Sequence, residues 1–184
     1  MSFPLRLMLA TALLMLVACR GDPIHFHTLT PTLPANTEQA GNVDVQIEVI
    51  SVPPQVDRQQ LVIRQSDSSL TVLDGHWWGA SLVDELRSAL VQQLPTNNGG
   101  RRVSVRLDVQ RLDSIPGQYA LLDVKWRLRD RSVADAAFAH CHSRLKTAAS
   151  AEVDALVIAH QNNLQHLAKE IIQAAGGGGC PTRS

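Results

Sequence analysis

Residues 101–130 read RRVSVRLDVQRLDSIPGQYALLDVKWRLRD. Val103, Val105, Leu107 and Val109 alternate with Arg102, Ser104, Arg106 and Asp108. After the turn Ile115-Pro116-Gly117-Gln118, Leu122, Val124, Trp126 and Leu128 alternate with Asp123, Lys125, Arg127 and Arg129. Side chains on a strand point to opposite faces with a period of two. The stretch therefore predicts two antiparallel strands with one apolar and one polar face. Residues 135–147 give a third, less regular strand and complete a meander.

An apolar sheet face needs a cover, and the chain supplies two helical stripes. In residues 151–175, Val153, Leu156, Val157, His160, Leu164, Leu167, Ala168, Ile171 and Ile172 fall on one side at helical spacing. Ser150 is placed to cap this helix and Gly176 to end it. In residues 78–94, Trp78, Leu82, Leu86, Leu90 and Leu94 recur every four residues, and Pro95 stops the run. Upstream, Val43, Val45, Ile47 and Val49 share one parity, which predicts a strand ended by Pro53-Pro54. Residues 61–64 and 70–73 flank the polar turn 65–69 as a hairpin. The expected fold is α/β: a mixed, largely antiparallel sheet with two long amphipathic helices packed on it.

The chain has 184 residues, 17 basic and 17 acidic, with 4% aromatics and one Tyr. Zero net charge argues against a surface that tracks a phosphate backbone, and so few aromatics argue against a base-stacking platform. No nucleic-acid partner is expected.

The N-terminus decides the compartment. Arg6 precedes an 11-residue apolar stretch, residues 7–17, which is too short to cross a bilayer core that takes about 20 helical residues. It has the size of a signal-peptide core. The stretch closes on Leu16-Val17-Ala18-Cys19, which resembles a bacterial lipobox. That resemblance implies cleavage before Cys19 and lipidation of its thiol; Arg20 in place of Asp implies sorting to the outer membrane, facing the periplasm. Several acyl chains hold a protein at a bilayer stably where one does not. The expected organisation is a lipoprotein signal peptide over 1–18, and lipidated Cys19 with a tether and a short strand over 19–41. The main domain follows over 42–175, with a flexible tail over 176–184.

Residues 47–64 read IEVISVPPQVDRQQLVIR. They resemble a motif of the PqiC-type (YmbA-like) ABC/MCE transport auxiliary lipoproteins, with Pro53, Asp57, Arg58, Gln60, Leu61, Val62 and Arg64 as its specific positions. Phe26-His27-Thr28-Leu29-Thr30-Pro31 is similar to the family's opening, and residues 77–94 are similar to its first helix. Histidines at 25 and 27 where the family has Tyr, His76 where it has Arg, and the Cys-bearing tail depart from it. The resemblance implies an anticodon-binding-domain-like mixed α/β fold. It also implies a non-enzymatic outer-membrane lipoprotein that works with an MCE-domain protein spanning the periplasm, in phospholipid movement and membrane integrity.

Read from the residues alone, Asp57 and Arg58 pair to lock a corner between strands, with Arg64 returning to Asp57, or they contact a partner. Trp77 and Trp78 are either packing at a helix start or an interface anchor. Pro53 and Arg64 complete the candidate contacts; if the partner is a symmetric ring, several copies of this chain are expected to assemble around it. His25-x-His27 and His140-Cys141-His142 put imidazoles on one strand face, yet no third ligand lies at metal-binding spacing. We expect no metal and no cofactor. No G-x-S-x-G, P-loop or dinucleotide motif is present, so no catalytic residue is assigned.

With Cys19 lipidated, Cys141 and Cys180 remain as an even pair in an oxidising compartment. A strand from Cys141 advances about as far as the last helix returns, about 30 Å each way. A Cys141–Cys180 disulfide is within reach; the alternative is a buried Cys141 and a dangling Cys180.

Overall fold

The computed structural model describes residues 23–32, 43–96 and 100–181. Cys19 and the expected signal peptide lie outside them. The elements run β1 (His25–His27), β2 (Val43–Ser51), β3 (Gln60–Arg64), β4 (Leu70–Trp78), α1 (Leu82–Val91), β5 (Arg101–Ile115), β6 (Tyr119–Asp130), β7 (Ala139–Ala148) and α2 (Val153–Gln173).

The fold is mixed α/β, but its strands divide into two sheets rather than one. A four-stranded sheet has the order β2-β5-β6-β7; a three-stranded one has the order β1-β4-β3. The β5-β6-β7 meander is antiparallel, with Leu107 opposite Trp126 and Trp126 opposite Cys141. β2 joins it in parallel, and β3 touches β5 where the sheets meet.

The alternation in residues 101–130 is what the large sheet buries. Val105, Leu122, Val124 and Trp126 are at most 2% exposed. They pack with Leu164, Leu167 and Ile171 of α2 and Leu86 and Leu90 of α1. α2 lies over β6 and β7, and α1 over β2. Burial of Leu- and Trp-sized side chains at about 25 cal/mol per Å² is the main force holding this layer pair. Trp126 Nε1, too deep for water, donates to Ser143 Oγ at 2.8 Å, and Ser143 hydrogen-bonds Glu170 in turn.

Five expectations change. The run 78–94 is not one helix: β4 extends to Trp78, and α1 begins only at Leu82. Trp78 N donates to Gln59 O at 2.7 Å, so its backbone is committed to strand-like pairing. Ser81 then caps α1: its Oγ accepts from Asp84 N and donates to the Asp84 carboxylate at 2.6 Å. β2 carries a bulge between Ile47 and Val49, which turns Val49 outward and Ile50 into the core. Ser150 does not cap α2; Glu152 holds that position without a side-chain bond. Gly176 is not the helix stop, because the chain continues in a wide π turn, Ala174–Gly178, until Gly177 adopts φ +94°. Such a φ suits glycine. The 176–181 stretch is largely exposed but is tied to β7, where Cys180 is disulfide-bonded to Cys141 with Cα atoms 5.3 Å apart.

Candidate functional site

The corner after β2 is built by proline and one apolar plug. Pro53 O accepts from Val56 N and Asp57 N at 3.0 and 3.2 Å, and Val56 O accepts from Arg58 N at 2.9 Å. Val56 is buried, which leaves Asp57 and Arg58 exposed at the tip. Neither makes an ion pair among the described residues, so the corner is locked by backbone bonds and Val56 rather than by an Asp57–Arg58 pair.

Arg64 does not return to Asp57. Its guanidinium lies 3.1 Å from Asp113 Oδ1 on β5 and donates to Asp67 O at 3.2 Å. Asp113 is 6% exposed and is also paired with Arg111. This carboxylate is the polar node between the two sheets, and removing one partner of a buried ion pair leaves a costly unpaired charge. Pro53, Val56, Arg64 and Asp113 line a cleft of about 250 Å³ at this seam.

The small sheet places the other sequence-selected residues at the end of its hairpin away from Arg64 and the 65–69 turn. Gln60 lies opposite Trp77, so Arg58 is two residues from the Trp77 register position. Trp78 is core, 4% exposed. Trp77 donates Nε1 to Asp74 O at 2.8 Å and meets the edge of Phe26 at 6.4 Å. Phe26 is 66% exposed, and Ile24 beside it is also exposed. Phe26 and Ile24 were not legible as site residues. β1 is three residues long and joins β4 by parallel pairing across about 50 positions of chain.

Two polar devices hold β1. Glu85 of α1 is buried and accepts from Leu29 N at 2.8 Å and Thr28 Oγ1 at 2.7 Å. His27 shares a 2.9 Å hydrogen bond between its Nε2 and His76 Nδ1. It also places Nδ1 3.2 Å from Asp154. Burial holds the His27 pKa below the usual value; Asp154 opposes that and the neighbouring histidines add to it. His25 stacks on His76. Among the described residues, no group of three or more His, Cys, Asp or Glu side chains is placed to hold a metal.

One pair has the spacing of nucleophile and base: Ser114 Oγ lies 2.9 Å from His160 Nε2. Both are buried, and His160 Nδ1 has no partner to orient the ring. Burial depresses the His160 pKa to about 4, with Asp113 opposing. A triad needs an oriented base and substrate access; this pair has neither and serves the interior of the fold.

What remains is a contact surface: an exposed charged tip and an aromatic pair at the Gln60 end of the small sheet, and a small seam cleft that reaches its hairpin-turn end. Among the described residues no helix is long and apolar enough to cross a membrane.

The family model described as "ABC-type transport auxiliary lipoprotein component" matches residues 27–172. No curated protein matches the chain. Among solved structures, an uncharacterized protein superposes with a TM-score of 0.64 at 14% identity, covering 83% of this chain and 99% of its own. A Xanthomonas campestris protein superposes with a TM-score of 0.63 at 18% identity, covering 84% and 96%. At these identities the likeness is one of fold.

Proposed function

The chain belongs to the ABC-type transport auxiliary lipoprotein family, and from that premise we propose that it is a non-enzymatic docking component of an MCE-type phospholipid transport system, anchored through Cys19 to the periplasmic face of the outer membrane. The match across residues 27–172 carries the reading. The anchor fixes where the domain sits, and the rim formed by exposed Asp57 and Arg58 and half-buried Trp77 meets the distal end of an MCE-domain partner that reaches across the periplasm. Pro53 and Arg64 shape that rim rather than touch the partner first.

The interior supports docking over carriage. A carrier that swallowed an acyl chain would need an apolar cavity of several hundred Å³. Here the space between the large sheet and its helices is filled by side chains at most 8% exposed.

Affinity purification of the tagged full chain from crosslinked envelopes tests the reading. Recovery of an MCE-domain protein is the expected result. Recovery of stoichiometric lipid without that protein means a carrier, and recovery of neither means a free-standing envelope lipoprotein. Radiolabelled palmitate is expected to mark the wild type and not Cys19→Ser.

A further inference from the structure

One face of the large sheet carries the helices; the other is open and strongly basic. Arg106, Arg127 and His140 lie directly opposite one another on β5, β6 and β7, and the next row is Asp108, Lys125 and His142. Adjacent strands are about 4.8 Å apart, and like charges directly opposite on one face destabilise a sheet. Acidic residues answer only part of this charge. Arg106 pairs with Glu48 at 2.6 Å, and His142 with Asp123 at 2.7 Å. Among the described residues Lys125, Arg127 and Arg129 have no ion pair. In a chain of 17 basic and 17 acidic residues, this concentration is local.

The charge also lines a cavity. Arg106, Lys125, Arg127 and His140 border a cleft of about 810 Å³ whose apolar walls include Val49 and Pro181. The β2 bulge supplies the first wall by turning Val49 outward, and the Cys141–Cys180 bond supplies the second by holding the 180–181 segment at β7. The Arg127 and Arg129 guanidinium groups rest on the Phe138 ring at 5.2 and 5.5 Å, which limits their rotamers.

We propose that this cleft is a binding site for a phosphate oxyanion. Arg106 and Arg127 are its principal donors and Lys125 adds a third charge. Guanidinium forks match phosphate geometry with two parallel N–H donations. A bound anion offsets the repulsion between opposed arginines, so the cost built into the free sheet returns as affinity. Val49 and Pro181 suit the glycerol and first methylenes of a phospholipid whose headgroup sits on the arginines while its acyl chains stay outside. Inorganic phosphate shares the anion chemistry. This site stands on the opposite side of the sheet from the helices and does not rest on the docking role.

The test is an NMR titration of the full chain in neutral detergent, following the Arg127 amide and the His140 and His142 imidazoles. Short-chain phosphatidylglycerol is expected to give saturable shifts at these signals, and phosphatidylcholine much weaker ones. Saturation by inorganic phosphate at equal or lower concentration also supports the site and identifies the free ion as its ligand. Arg127→Gln is expected to weaken binding tenfold or more, the loss typical of a charged hydrogen bond. Its thermal midpoint should be unchanged or raised, because a like-charge contact is removed. Lys169→Gln on α2 removes the same net charge and should bind as the wild type. Absence of shifts with either phosphate compound overturns the proposal, as does saturation by a hexaglutamate peptide alone, which would mark an acidic-peptide groove.

Discussion

The two sheets of this molecule are held by different forces. The four-stranded sheet is closed by apolar packing: Trp126, Val124 and Leu122 under α2, with a disulfide fastening the edge strand to the chain end. The three-stranded sheet sends fewer side chains into the core, Leu61 and Trp78 above all, and is tied besides at single polar points: Glu85 on Leu29 and Thr28, His27 on His76, and Arg64 on Asp113. The first arrangement gives stability and the second gives exposed surface. A sheet tied at a few points can leave Ile24, Phe26, Asp57 and Arg58 outward, where a partner can reach them.

If that contrast holds, damage should grade from one sheet to the other. Trp126→Ala in the large sheet should cost about 3–5 kcal/mol of unfolding free energy, measured by urea denaturation, since it opens a cavity beneath α2. Cys180→Ser should cost less, about 2–4 kcal/mol for a closed loop of this length, seen as a lower midpoint that reductant no longer changes. In the small sheet, Glu85→Ala leaves a buried amide and a hydroxyl unpaired. It should cost about 1–3 kcal/mol, and amide exchange should rise at Leu29 and Gly79 before it rises in β6. Equal protection loss in both sheets would break the distinction.

Acid sharpens the comparison further. The folded pKa of His160 is lowered to about 4 from the usual 6.5, so the unfolded chain takes up the proton first. His27 is lowered as well. Stability is therefore full above pH 6.5 and falls as pH drops toward 4, with a slope approaching about 1.4 kcal/mol per pH unit from His160. Near pH 5.5 the loss should be roughly 1 kcal/mol. His160→Leu should flatten most of this limb, measured as midpoint against pH, and a limb unchanged in that variant would contradict the assignment. Phe26→Ser should move stability least, within about 0.5 kcal/mol, because the ring is 66% exposed.

The same contrast explains what could be read in advance. The large sheet was legible because period-two alternation in residues 101–130 and the helical stripe ending at Ile172 each specify a buried face. In the small sheet the hairpin around the 65–69 turn was legible; its pairing with β1 and its attachment to the large sheet were not, because those contacts are long-range and their ties are polar. Nothing local says that His27 will meet His76, that Arg64 will choose Asp113 over Asp57, or that Glu85 will clasp Leu29. Trp78 illustrates the failure. Four-residue spacing to Leu82 and Leu86 extended the helix over it, while tertiary pairing with Gln59 and His27 made it strand. The Ser81-x-x-Asp84 capping pattern was the local signal that places the true start at Leu82. The bulge at Glu48 similarly escaped a parity count, and with it the outward turn of Val49. The rim residues Asp57 and Arg58 were identified from motif resemblance, whereas Phe26 emerged only when β1 was seen beside β4.

Docking through the small-sheet rim is tested most directly by photo-crosslinking in intact cells, with a benzoylphenylalanine at position 58 or 77 and a control at Ile158, an exposed residue on α2. Adducts containing an MCE-domain protein from positions 58 and 77, and none from position 158, are the predicted result. Adducts from position 158 alone, or none from any position in cells where the full-length chain is mature and membrane-bound, would contradict it.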